Sequence, residues 1–185
     1  FATCLALGNY VGTVTDTYGC TVTVSAAITS PAAMVITATP ADPQCLGGFS
    51  GSATTSVVSG GTPGYVYAWS NGSALQTATG IAAGVYSVTI TDVNNCVGST
   101  SITLNEPTAV NPSIVGNNVS CFGANDGDAT ISVSGGTSPY IYIWDDPAFQ
   151  TTANVVGIGN DTLHVTVTDV NGCTAIDSIK ITEPP

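Results

Sequence analysis

Positive charge is what this chain most lacks. Its 185 residues hold one lysine, no arginine and one histidine against twelve carboxylates, a formal net charge of −11 at pH 7. A surface of that sign repels phosphate backbones and anionic headgroups, which excludes nucleic acid and anionic membranes as partners. No apolar run approaches the roughly 18 residues of a membrane-spanning helix, so no membrane insertion is expected. No signal peptide is read either, so targeting segments of an exported protein are expected outside these residues. A single His, with no Cys-x-x-Cys pair, excludes the usual zinc sites, and no cofactor is expected. Charged residues are only 7% of the chain, yet 43% is hydrophobic and Val, Ile, Thr and Tyr alternate, which is not the composition of a disordered segment.

A repeat is what the chain does have. Asp16, Asp92 and Asp169 stand 76 and then 77 residues apart, as do Cys20, Cys96 and Cys173, and Pro31, Pro107 and Pro184. Cys45 and Cys121 are 76 apart, and Trp69 and Trp144 are 75 apart. Matching apolar, turn and cysteine positions at a domain-sized period describe a tandem array of one small module. Two complete modules are expected, over residues 32–107 and 108–185. Residues 1–31 carry only the last third of another, because Gly8-Asn9-Tyr10 matches Gly84-Val85-Tyr86. A third of a sandwich buries too little surface to stand alone, so the chain is read as a window on a longer protein, with completion of its first strands by another chain as the alternative.

Within a module the signals are strands and turns. Strand A is placed at Met34–Thr39 and Ser113–Val115, and strand B at Ala53–Ser59 and Asp128–Ser134. Gly60-Gly61-Thr62-Pro63 and Gly135-Gly136-Thr137-Ser138-Pro139 turn into strand C, Tyr65–Trp69 and Tyr140–Trp144. The period of two puts both Tyr and the Trp of strand C on one face. Asn71-Gly72 marks a tight turn, and two short strands are expected within residues 73–82. Strand F runs Tyr86–Thr91 and Leu163–Thr168, turning at Asp92-Val93-Asn94-Asn95 and Asp169-Val170-Asn171-Gly172 into strand G. Seven short strands, a Trp on C and a Tyr opening F predict an all-β fold of tandem immunoglobulin-like β-sandwiches, end to end. Gly84-Val85-Tyr86 has the form of a tyrosine corner, which the second module replaces with Leu163.

These blocks resemble a known family. Gly60–Trp69, Gly84–Asp92 and Asn94–Cys96, with Gly135–Trp144 and Thr166–Cys173, are similar to the SprB repeat of Bacteroidetes cell-surface proteins. The resemblance spans both modules and the leading fragment. It implies long secreted proteins, among them mobile adhesins of gliding cells exported by type IX secretion, and an extracellular or cell-surface location.

No active site is read. His164, on the outward face of strand F, has no repeated Ser, Cys or carboxylate to form a relay. Asp126 and Asp128, in Asn125-Asp126-Gly127-Asp128, are a weak calcium candidate; an Asx-type turn is the competing reading. Asp92 and Asp169 are read as caps of their own turns. The Tyr and Trp of strand C are assigned to the core in preference to a sugar-stacking platform. Ile141 and Ile143 should point outward, as candidates for lateral contact between neighbouring chains. Thr162 and Ser178, each after an Asp and before an apolar residue, resemble Bacteroidetes O-glycan acceptors.

The six cysteines are read as disulfide partners in an oxidising compartment. Within modules, Cys45–Cys96 and Cys121–Cys173 would each close some 50 residues, worth about 4 kcal/mol by loop entropy. In a sandwich, however, those cysteines fall at opposite ends, roughly 20 Å or more apart. The other pairing joins modules: Cys45–Cys173 and Cys4–Cys96 across junctions, leaving Cys20 and Cys121 for modules beyond. The chain is thus read as a non-enzymatic structural and adhesive repeat region, a stiff rod or extracellular filament. Its partners are other repeats of the same chain, identical chains in a fibre, and a surface polysaccharide. A glycan-binding array, or spacer repeats for an enzyme elsewhere in a longer chain, are the alternatives.

Overall fold

The computed structural model describes residues 4–185, so the first three residues of the leading fragment lie outside it. Among the described residues there are fourteen strands and no helix, hence none long and apolar enough to cross a membrane. The strands sort into a hairpin and two bodies of six strands each.

The hairpin is β1 (Gly8–Thr15) and β2 (Thr21–Ile28), paired in register from Gly8↔Ile28 to Thr15↔Thr21. It makes no substantial packing contact with any other strand, and nearly all its side chains are exposed. The first body contains β3 (Val35–Ala41), β4 (Gly51–Ser59), β5 (Val66–Trp69), β6 (Thr77–Ile81), β7 (Gly84–Thr91) and β8 (Val97–Leu104). Its two antiparallel sheets have orders β3-β4-β6 and β5-β7-β8. The second body repeats the plan with β9 (Asn111–Asn117), β10 (Gly127–Ser134), β11 (Ile141–Trp144), β12 (Asn154–Ile158), β13 (Thr162–Thr168) and β14 (Thr174–Lys180), in orders β12-β10-β9 and β11-β13-β14.

Each body is an immunoglobulin-like sandwich of six strands rather than about seven. One strand, β6, occupies the stretch where two short ones were expected. The residues before it are used as a turn: the Trp69 N–H donates to Ser73 O (2.9 Å), and Trp69 Nε1 donates to Leu75 O (2.9 Å). Gln76 meanwhile pairs with buried Thr55, its Nε2 donating to Thr55 O (2.8 Å) and its carbonyl accepting from Thr55 Oγ1 (3.1 Å). These groups are already paired in the turn and with Thr55, and they leave no ladder for another strand.

Alternation decides what is inside. Trp69, Val88, Ile90 and Leu104 build the first core, with Tyr65, Tyr67 and Tyr86 packed against it. Trp144, Val155, Leu163, Val165, Val167 and Ile181 build the second. The two clusters share no residue. Trp144 is fully buried, its Nε1 donating to Thr152 O (3.0 Å), which removes the cost of burying the indole N–H. Leu163 occupies the Tyr86 position and is itself buried, so the second body exchanges a hydroxyl tie for apolar packing.

Candidate functional site: the joint between the modules

The Gly-Gly turn and the β7–β8 turn meet at one end of each body. Gly60 and Gly135 hold positive φ (71° and 68°), and a Cβ at either would collide with a backbone oxygen, of Ala33 and Ala109 respectively. Glycine is therefore required where this turn, after the second strand of each body, packs on the segment by which the chain enters the sandwich. Beside that entry, Asp92 is buried and organises the turn. Its Oδ1 accepts from Asn94 N (2.9 Å) and Cys96 N (2.8 Å), and its Oδ2 from Thr62 N (2.8 Å). Asp169 repeats the pattern with Asn171 N (2.9 Å), Cys173 N (2.9 Å) and Thr137 N (2.9 Å). Burial pushes both carboxyls up, but the converging N–H donors outweigh it and hold them below the usual carboxylate range. These aspartates cap their own turns and also tie the β7–β8 and β13–β14 turns to the Gly-Gly-Thr segments.

The opposite end of each body carries a second cysteine-bearing turn. Gly48 N donates to Cys45 O (2.9 Å), and Ala124 N to Cys121 O (3.0 Å). Gly47 and Gly123 sit at φ 67° and 73°, and their N–H groups donate to Glu106 and Glu183, the carboxylates that follow the last strand of each body.

These ends meet at one covalent bond. Cys45 and Cys173 form a disulfide with Cα atoms 5.4 Å apart, 128 residues distant in sequence. Cys45 belongs to the far turn of the first body and Cys173 to the near turn of the second, so the bond spans the joint. A recess of about 360 Å³ surrounds it, lined by Leu46, Thr108, Ala109 and Val110 among others. The within-module pairs Cys45–Cys96 and Cys121–Cys173 are thereby excluded, because both Cys45 and Cys173 are taken. The Cys4–Cys96 bond is not formed either, and both residues are free thiols, as are Cys20 and Cys121. The reason lies in the repeat: Cys4 stands 76 before Gly80, on β6, and not before a residue of the far turn that Cys45 occupies. Nor does packing seat the hairpin on the first body.

The other sequence candidates lie apart from the joint. Hydrogen bonding from Ser120, its side chain first and then its backbone N–H (2.9 Å to Oδ1), lowers the Asp126 pKa, and Asp128 accepts from Asn117 Nδ2 (3.0 Å). Asp126 ties the β9–β10 loop and Asp128 pairs across the strands with Asn117, and among the described residues no group of three or more His, Cys, Asp or Glu is placed to hold a metal. His164 Nδ1 lies 2.8 Å from Asp145 Oδ2, with both side chains about half exposed. Burial raises the Asp145 pKa, and the His164 backbone and ring bonds pull it below the ordinary value. Thr162 and Ser178 are exposed on β13 and β14. Ile141 (61% exposed) and Ile143 (51%) point outward, and the register sets Ile143, Thr166 and Ile176 in one row across the sheet.

Some of the machinery escaped the sequence reading. Thr62 and Thr137, partners of the capping aspartates, and Glu106 and Glu183, acceptors for the far turns, all carried the signal of recurring in register. Buried Asp146 occurs once only; its Oδ1 accepts from Gln150 N (2.8 Å) and its Oδ2 from Ala148 N (3.0 Å).

The SprB repeat family matches at residues 37–74 and 114–149. Two segments of the chain are similar to the SprB repeat. Each match runs from the first strand of a body to just beyond the tryptophan strand. The β7–β8 and β13–β14 blocks and the leading hairpin, to which the sequence resemblance extends, fall outside the matched segments. Among curated proteins none matches. Among solved structures, the amphioxus IgVJ-C2 molecule is similar, with 14% identity, 78% of this chain and 96% of that chain covered, and a TM-score of 0.34.

Proposed function

We propose that this chain is a non-enzymatic structural and adhesive repeat region of a secreted bacterial surface protein, in which sandwich modules stack into a stiff rod. The observation that carries this reading is the Cys45–Cys173 bond, which ties one body to the next at a joint with little free chain. Only residues 105–110 separate the last strand of the first body from the first strand of the second, with Pro107 among them. The SprB repeat is associated with cell surfaces, and a disulfide suits an oxidising exterior. One lysine in the whole chain leaves trypsin-like proteases a single cleavage point.

Attachment to gliding cells, export by type IX secretion and polysaccharide binding belong to the same reading as finer expectations. For side-by-side association we propose the row around Ile141, Ile143 and Ile176 on the outer sheet face. Replacing Ile141 and Ile143 by Thr would keep strand propensity while removing apolar area. The strand-C aromatics face the cores, so a glycan platform built from them finds no support.

Negative-stain images of the native material test the rod: particles of uniform width, isolated or bundled, are expected, and globular particles would contradict it. Beads coated with the chain test adhesion under flow. Retention no better than that of albumin-coated beads would remove the adhesive half.

A further inference from the structure

Two cysteines at the joint are bonded, and two at the same repeat positions are not. Cys121 is the counterpart of Cys45, and Cys96 the counterpart of Cys173. Each free thiol sits in a turn that shares its main backbone hydrogen bonds with the turn of the bonded one. At the far turn of the second body, Ala124 N bonds Cys121 O, Gly123 has positive φ, and Glu183 accepts from Gly123 N (3.1 Å), as Glu106 does from Gly47. At the near turn of the first body, Asp92 holds Cys96 N as Asp169 holds Cys173 N. The bonded residues are half-buried, whereas Cys96 and Cys121 are exposed.

The surfaces around the thiols correspond too. Leu46 lines the recess at the formed joint, and its counterpart beside Cys121 is Phe122, 79% exposed. Cys96 opens onto a recess of about 530 Å³ lined by Pro31, Ala32, Gly60, Gly61 and Thr62, to which no residue of β1 or β2 contributes. In the formed joint the Cys45-Leu46 turn lines the recess beside Cys173. The Cys121–Phe122 turn and the Cys96 recess are thus built like the two halves of the pair already joined.

We infer that the recess at Cys96 receives the cysteine turn of another sandwich module, a place that the Cys121–Phe122 turn of a second copy takes when the 185-residue chain is alone, and that a disulfide between the two cysteines seals the contact. Repetition propagates the internal joint head to tail from module to module, a heterologous contact that extends without closing. Sealing is thiol–disulfide exchange with a low-molecular-weight disulfide such as oxidised glutathione. One thiolate attacks it to give a mixed disulfide and release one glutathione thiolate. The second cysteine's thiolate then displaces the other glutathione, so two protons and two electrons leave the cysteines and one glutathione disulfide becomes two thiols. This deepens the rod reading but rests on the joint's geometry alone. Coupling without adhesion would leave it intact, and rods without coupling would sink it.

The test uses the 185-residue chain with Cys4→Ser and Cys20→Ser, which removes the hairpin thiols and leaves the Cys45–Cys173 bond. Oxidised glutathione is added, and covalent oligomers are resolved without reductant and mapped with a protease that cleaves at aromatic residues. The expected product is a ladder of oligomers with Cys96–Cys121 as the dominant linkage, well above the half share that random pairing of two thiols gives. Phe122→Asp on the same background should lower that product about tenfold, the scale of losing one buried aromatic contact. No ladder, linkages in random proportion, or a yield indifferent to Phe122→Asp would each overturn the proposal.

Discussion

Pulling on the two ends of the oxidised chain should leave most of it mechanically untouched. Force entering at the N-terminus travels to Cys45, crosses the Cys45–Cys173 bond, and leaves through the last strand. The 128-residue separation between the two cysteines lies outside the load path. Both tryptophan strands and all of β4–β13 belong to that shielded segment. At 3.3–3.6 Å per extended residue, 128 residues correspond to about 420–460 Å of contour length withheld while the bond is intact. Thermodynamically the same loop stabilises against complete unfolding by about 5 kcal/mol on the chain-entropy model. That figure applies only when both bodies unfold, since folded modules already hold the loop closed. Single-molecule force spectroscopy with handles at the two termini, run with and without a phosphine reductant, measures the difference directly. Reduction should add about 420–460 Å of extension, released in two events, one per core. Equal contour lengths in the two conditions would refute the load path, and with it the idea that the staple limits extension.

Other outcomes follow from the cores and turns. Trp144→Ala should cost about 3–5 kcal/mol in urea unfolding, with the transition of the first body, followed through Trp69, unmoved. Gly135→Ala should destabilise by about 1–3 kcal/mol, from positive φ together with the collision at Ala109 O. Gly172→Ala, at φ 82° but facing open space, should cost about 1 kcal/mol by the same denaturation assay. Because Asp92 and Asp169 have lowered pKa values when folded, the stability they lend is fully present above the ordinary aspartate value of 3.8. It is lost as pH falls below that value and through the depressed folded one. Asp169→Asn should therefore flatten the acid limb of a melting-temperature profile for the second body, and an unchanged limb would contradict the capping role.

The repeat register and the period-two alternation made the architecture legible, because one face of every strand is buried and a wrong register would expose it. Trp69, Trp144 and Val88 could be assigned to the core on that pattern alone. The strand count was less accessible. Residues 70–76 look like turn and strand in sequence, and it is the Gln76–Thr55 and Trp69–Leu75 hydrogen bonds, both long-range or side-chain mediated, that turn them into a loop. Cys4 misled because its place in the leading fragment suggested proximity, while the staple demands a far-turn cysteine. The Thr62–Asp92 and Glu106–Gly47 ties join residues 30 and 59 apart, and no local pattern announces such contacts. Asp145, Asp146 and His164 are single occurrences, so repetition gave no signal for them.

Peptide mapping of the purified, unreduced chain bears most directly on the stapled joint. A peptide linking Cys45 to Cys173, and no within-module linkage, is the expected result. Recovery of Cys45 joined to Cys96, or of Cys121 joined to Cys173, would contradict the account.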